Sequence, residues 1–358
     1  MTKIAILGGG SWGTALAVVL SRSRSRHDIA LWMRDPEKAR EISSTRENKI
    51  YLPGIVIPES VLISSSLEDA TGGATILVGA MPAADARTVY TKVLPLLNNA
   101  ASAGTREDVG WQHIFVSATK GLEPETHLRI SEVIEQVFAG TLQPQIAVLS
   151  GPSFALEAAR GEPTAVVLAA RLSISPQLGE AKAQEQLADF IQSEFAAPSF
   201  RIYTNDDVLG VELAGAMKNV IAIAAGACQG LGLGSNAVAA LITRGLAEMS
   251  RLAIALGARA QTLSGLAGLG DLVLTCTGML SRNRHVGIEL GKGRTLPQIL
   301  ASMKMVAEGV GTAAAVLALA AENEIDMPIT AQVEQILHQG KSPRQAIGEI
   351  MERPQKHE

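Results

Sequence analysis

Apolar and polar positions follow two regimes along the chain, and the change falls at Asp206-Asp207. Before it, short apolar runs rich in β-branched residues stand between glycines and stretches with helical spacing. Lys3–Leu7, Ile29–Met33, Ala74–Ala80, His113–Ser117 and Ile146–Leu149 predict buried parallel strands. Thr164–Ala169 and Phe200–Tyr203 predict further strands, at an edge of the same sheet. Helical spacing marks Thr14–Leu20, the stretch after Met81-Pro82 to about Leu97, the stretch up to Arg160, and Ser175–Gln192. The polar segment Asn98–Gly110 reads as a surface insertion. After Asp206-Asp207 the pattern is helical throughout, in Val208–Ala227, Asn236–Leu256 and Thr312–Ala321. These regimes predict an α/β, Rossmann-like doubly wound sheet over residues 1–205 and an all-α substrate-binding domain over 206–358.

Composition narrows the partners. A chain of 358 residues, 47% apolar, can build two cores. Its net charge of -4 gives no broad field for nucleic acid or an anionic membrane, so any phosphate must be met by local basic groups. Cys228 and Cys276 form no CxxC pair and no metal spacing, so they read as buried thiols in a reducing compartment, with no metal expected. The start MTKIAILGGG lacks the pattern of a secretory signal, and a cytoplasmic location is expected. Val208–Ala227 is apolar enough to be compared with a membrane span, but Glu212 and Lys218 at its centre are costly in lipid. A core helix is therefore expected, and the apolar helical half suits a homodimer.

Candidate chemistry begins at the first strand. Gly8, Gly10 and Gly13 form G-x-G-x-x-G between a strand and a helix, where a pyrophosphate approaches the backbone and meets the free N–H groups of the helix start. Dinucleotide binding follows. At the end of the second strand, Arg34 favours the 2′-phosphate of NADP, whereas Asp35 suits NAD or a helix cap before Pro36. Lys120 lies just past the carboxyl end of a strand, where open α/β sheets bind ligands. Gly151-Pro152-Ser153 offers either an anion site or plain capping. Lys218 stands on a helical face of small residues (Val211, Ala214, Gly215, Ala222, Ala225, Gly226), either as a snorkelling core lysine or as a proton-transfer group whose pKa burial lowers. Asp271 is presented by the glycine-rich stretch Ser264–Gly270. Ser281-Arg282-Asn283-Arg284 reads either as a phosphate clamp with two guanidiniums or as an exposed basic turn. Arg244, Glu248 and Arg251 have the spacing of a solvated ion-pair face. Lys120, Lys218, Asp271 and Arg282 around one cleft suit hydride transfer to the carbonyl of a small anionic substrate.

GSWGTAL, SATKGLE, SGPSFA, GAMKN, GLGDLVLTCTG, LSRNR and VAEGV stand in this order along the chain. In order and approximate spacing the set resembles the bacterial NAD(P)-dependent sn-glycerol-3-phosphate dehydrogenases. GGG replaces the commoner GAG at a free position, and GAMKN replaces GALKN with volume conserved. The resemblance implies interconversion of dihydroxyacetone phosphate and sn-glycerol 3-phosphate for glycerophospholipid biosynthesis. It implies a proton-transfer role for Lys218, contact of Lys120 with substrate and cofactor, and a catalytic part for Asp271. It places Gly151, Ser153, Lys218, Asp271, Ser281, Arg282 and Asn283 at substrate. It places Ser11, Trp12, Arg34, Lys120, Ala155, Arg282, Val306 and Glu308 at cofactor, with NADP(H) favoured and NAD(H) the alternative. A non-catalytic NAD(P)-binding sensor would have lost Lys218, Lys120 or Asp271, and all three are present. A two-domain reductase of another anionic hydroxy compound would lack the combined motifs.

Overall fold

The computed structural model describes residues 2–100, 113–171 and 180–354. Most of the predicted insertion 98–110, and residues 175–179 of the predicted helix 175–192, lie outside the described residues. Among the described residues eight strands form one sheet: β1 (Thr2–Leu7), β2 (His27–Trp32), β3 (Val61–Ser64), β4 (Ile76–Gly79), β5 (Ile114–Ser117), β6 (Gln145–Ser150), β7 (Thr164–Arg171) and β8 (Phe200–Asn205). Their order is β3-β2-β1-β4-β5-β6-β7-β8, and the β6–β7 pair alone is antiparallel. The central strands are apolar without alternation because helices cover both faces of the sheet. Ile4, Ile6, Leu16, Leu20 and Ile29 form one core layer; Leu7, Leu77, Tyr90, Phe115 and Phe138 form the other.

β3 has no counterpart in the sequence prediction, since its four residues, ending in the first of the serines at 64–66, give too little pattern to read. β7 was expected at an edge; it lies inside, between β6 and β8, and β8 is the edge. Because β1, β4, β5 and β6 run parallel, their carboxyl ends deliver Gly8, Ala80, Lys120 and Gly151 to one side of the sheet.

From Val208 onward the elements are helical, and Val208–Gly230 is their axis. It is the one helix among the described residues long and apolar enough to cross a membrane, and 89% of that apolar window is buried inside the fold. Asp207 caps it, accepting from Gly210 N at 2.8 Å, while its second oxygen accepts from Arg259 N and Thr262 Oγ1. The small residues on this helix do not all face a hollow. At Gly226 the backbone of the helix Arg282–Gly291 packs directly on it: a Cβ on Gly226 would lie 2.0 Å from Arg284 O, and one on Gly287 would lie 1.9 Å from Ile223 O. Close approach of two backbones is what those glycines secure, and it brings Asn283 against Asn219.

The predicted solvated face at Arg244, Glu248 and Arg251 does not form. Glu248 is 2% exposed and accepts from Ile329 N, Thr330 N and Thr330 Oγ1, capping the helix Pro328–His338 from outside. Arg251 donates to Asp326 O instead. Spacing alone could not reveal that a later helix would end on the glutamate.

Candidate active site

A cleft of about 680 Å³ opens at the carboxyl ends of the parallel strands and is closed on its far side by the helices. At one end lies the glycine turn. Gly8 has φ +126, and a Cβ there would sit 2.8 Å from the Ala80 carbonyl. Gly13 packs so tightly that a Cβ would lie 1.9 Å from Gly8 O, whereas a Cβ on Gly10 would meet nothing within 4 Å. The turn is thus sealed on the protein side and open on the cleft side. Asn48, buried, holds it by donating to Gly9 O at 3.0 Å and Thr14 Oγ1 at 2.9 Å. The helix Ser11–Leu20 presents its first N–H groups to the cleft. These residues fit the pyrophosphate of a dinucleotide, and the buried Trp12 Nε1 has no hydrogen-bond partner among the described residues.

Two lysines meet one carboxylate at the centre. Lys218 is 5% exposed and donates to Asp271 Oδ1 at 2.5 Å and Thr275 Oγ1 at 3.0 Å. Lys120 donates to Asp271 Oδ2 at 2.8 Å, Gly151 O at 2.8 Å and Ser153 Oγ at 3.3 Å. Burial pushes Asp271 up, but the two ammonium charges outweigh it and hold its carboxyl below the ordinary range. Burial lowers Lys218 to about 7, with Lys120 acting in the same direction and Asp271 against it. An amine poised there gives up and takes back a proton near neutrality.

The glycine-rich stretch Ser264–Gly270 that presents Asp271 is helical rather than a loop. Leu266–Gly270 is a π-turn that runs straight into the helix Asp271–Thr277, so the carboxylate is fixed at a helix start and only 1% exposed. Ser281 caps the helix Arg282–Gly291 by accepting from Arg284 N. Arg282 and Asn283 line the cleft; Arg284 turns away and donates to Gly278 O. The two-guanidinium clamp therefore reduces to one guanidinium. Arg282 is reachable from the cleft yet enclosed on its other sides, which lowers its pKa, while Glu308 opposes that shift. Glu308 is raised to about 7 by burial, against the charge of Arg282.

Of the predicted residues, Gly8, Gly10, Ser11, Trp12, Arg34, Lys120, Ser153, Ala155, Lys218, Ser281, Arg282, Asn283, Val306 and Glu308 line the cleft. Gly13, Gly151 and Asp271 stand behind the wall, in contact with groups that line it. Thr275 and Asn219 went unread. Asn219 donates to Lys120 O at 3.2 Å and accepts from Asn283 Nδ2 at 2.8 Å, and Asn283 in turn accepts from Gly309 N. Its position next to Lys218 in GAMKN was the available signal. Thr275 carried only helical spacing from Asp271.

Fold and cleft together define the class, a dehydrogenase dependent on a nicotinamide dinucleotide. Comparison with known proteins narrows it. Family models described as NAD-dependent glycerol-3-phosphate dehydrogenase N-terminus and C-terminus match residues 3–173 and 207–348. A glycerol-3-phosphate dehydrogenase [NAD(P)+] of Koribacter versatilis is 51% identical over 99% of this chain and 98% of its own length. That of Geobacter metallireducens is 47% identical over 99% and 98%. The crystal structure of glycerol-3-phosphate dehydrogenase from Coxiella burnetii superposes with a TM-score of 0.87 at 39% identity, covering 98% of this chain and 99% of that one. The chain belongs to the NAD-dependent glycerol-3-phosphate dehydrogenase family.

Proposed function

We propose that the protein interconverts dihydroxyacetone phosphate and sn-glycerol 3-phosphate, with NADP(H) preferred over NAD(H), and supplies the glycerol backbone of glycerophospholipids in the cytoplasm. The observation that carries the chemistry is the buried Lys218 on the cleft wall, its ammonium fixed by Asp271 and Thr275. When bound, the reduced nicotinamide supplies the hydride that C2 of the substrate receives. Lys218 donates its proton to the oxygen at C2 in reduction and accepts it in oxidation. Lys120 polarises the same oxygen, so the developing charge meets two ammonium groups and no metal is called for. Asp271 keeps both lysines in place. Arg282, Asn283 and the free N–H groups at the start of Arg282–Gly291 take the phosphate.

In this reading residues 1–205 carry the cofactor and 206–358 the substrate. The NADP preference rests on how Asp35 is engaged. Its Oδ1 accepts from Glu37 N and Lys38 N, and its Oδ2 pairs with Lys38 at 3.2 Å, so it serves as a helix cap. The Arg34 side chain is 77% exposed at the cleft rim, held by Asp85 at 3.3 Å, and is free to swing to a 2′-phosphate. Exposed Leu233, Ile254, Leu269 and Val273 on the helical half support a homodimer. The test is the initial rate of NADPH oxidation with dihydroxyacetone phosphate beside NADH at matched concentration. Turnover with NADPH faster than with NADH is expected. Nucleotide binding without turnover would favour a sensor instead.

A further inference from the structure

The long central helix carries two charges, and both are engaged outside it. Lys218 meets Asp271. Six residues earlier, about 9 Å along the axis, the buried Glu212 accepts from Arg129 Nη1 at 3.1 Å, Ser131 N at 2.9 Å and Ser131 Oγ at 2.5 Å. Burial raises the pKa of Glu212, and the Arg129 charge works against that rise. A carboxylate so placed is costly to bury, and apolar packing would often serve stability as well or better. Its partners suggest what it is for.

Arg129 and Ser131 close the segment that begins at Lys120. That segment leaves β5 at Ser117, carries Lys120, doubles back through the bridge between Leu122 and Arg129, and enters the helix Ile130–Phe138. It is stiff. Glu123 N donates to Leu128 O and His127 N to Glu123 O, and Arg87 grips the Glu123 carboxylate with two contacts of 2.8 Å. One end of this rigid piece therefore touches Asp271 through Lys120, and the other touches the central helix through Glu212.

We propose that Glu212 is a positioning residue: by holding Arg129 and Ser131 it fixes the segment bearing Lys120 against the helix bearing Lys218, and so sets the separation of the two lysines across Asp271. The inference rests on the roles given to those lysines above. Among the described residues, the charged and titratable groups acting most strongly around Lys218 are Asp271 and Cys276 from the helix Asp271–Thr277 and Lys120 from the β5 side. Loosening the Glu212 contacts draws Lys120 back, removes its repulsion from Lys218 and leaves Asp271 to Lys218 alone. Both changes raise the pKa of Lys218.

The experiment compares the wild-type chain with Glu212→Gln, which keeps an acceptor for Ser131 N and loses the charge facing Arg129, and with the milder Ser131→Ala. In each, the rates of acetic anhydride labelling of Lys218 and Lys120 are followed against pH by mass spectrometry, beside kcat for dihydroxyacetone phosphate reduction and Kd for NADPH. Expected are a Lys218 titration moved to higher pH, kcat lower by about tenfold and NADPH affinity within about twofold. Folded variants whose Lys218 titration coincides with that of the wild type would overturn the proposal, whatever their melting temperature. If wild type itself fails to turn over, the functional reading falls, and the labelling still decides what Glu212 does.

Discussion

Lys218 Nζ lies 2.5 Å from Asp271 Oδ1, and the opposite oxygen of that carboxylate is held at 2.8 Å by Lys120. One buried negative charge thus stands between two positive ones, and neither lysine is able to take it alone. Asp271 offsets part of the effect of burial on Lys218 and leaves its pKa at about 7, where the proton is exchanged readily. Asp271→Asn removes the carboxylate whose charge raises the Lys218 pKa. The expected result is a fall in kcat of about 10²-fold or more, with the Lys218 limb moved to lower pH. A pH profile of kcat for the variant checks it; an unmoved limb means that Asp271 does not set the ionisation of Lys218.

The two directions of the reaction should depend on pH with opposite sign. In the proposed mechanism reduction needs Lys218 protonated and oxidation needs it neutral, and burial brings its pKa to about 7. Reduction should therefore slow as pH rises through about 7, and oxidation should quicken over the same range. Lys218→Met should flatten both limbs and cost about 10²–10⁴-fold in kcat while leaving Kd for the nucleotide largely unchanged. Steady-state rates in both directions across this range, with isothermal titration of the nucleotide, decide the matter.

Most of the sheet and of the side chains gathered at the cleft were legible in the sequence because each has a local cause. The G-x-G-x-x-G turn is dictated by backbone crowding at Gly8 and Gly13, and the central strands by unbroken apolar runs. Lys218 stood out as a charge with no local partner. What stayed hidden is what depends on a distant segment. Glu248 has the spacing of a surface ion pair, and only the arrival of Ile329 and Thr330, 81 and 82 residues later, makes it a buried cap. Arg284 and Arg282 look equivalent as residue types, yet the helix start sends one to Gly278 and the other to the cleft. Thr275 and Asn219 matter through their partners Lys218, Lys120 and Asn283, which no pattern local to them encodes.

The nucleotide preference should follow Arg34 rather than Asp35. Arg34→Gln is expected to raise KM for NADPH by about tenfold, the scale of one exposed charge-assisted contact, and to leave KM for NADH nearly unchanged. Asp35→Asn retains a capping acceptor and should shift neither by much. Equal effects of Arg34→Gln on both nucleotides would remove the basis for NADP discrimination at this strand end.

Glu248→Ala should act on stability and not on chemistry. It leaves Ile329 N and Thr330 N buried without an acceptor, at a cost of about 1–3 kcal/mol. Chemical denaturation should show a lower midpoint with an unchanged slope, and kcat per folded molecule should match wild type. A solvated ion pair, by contrast, would change the midpoint hardly at all.

The Arg282 end of the cleft, proposed to take the phosphate, depends on two helices touching backbone to backbone. A Cβ on Gly287 would lie 1.9 Å from Ile223 O and 2.8 Å from Ala227 N, both rigid backbone atoms of the central helix. Gly287→Ala must therefore push the helix Arg282–Gly291 outward, and Arg282 and Asn283 at its start move with it. The expected outcome is KM for dihydroxyacetone phosphate raised by about tenfold or more, with a smaller change in Kd for NADPH, which is also held at the glycine turn. Gly311→Ala is the control. It lies inside the helix Gly309–Glu322 with nothing within 4 Å of its Cβ, so helix propensity alone acts and stability should rise by up to about 1 kcal/mol. Kinetics of the two variants side by side separate crowding at the helix contact from any general effect of replacing glycine. An unchanged substrate KM in Gly287→Ala would show that Arg282 and Asn283 do not take their positions from that contact.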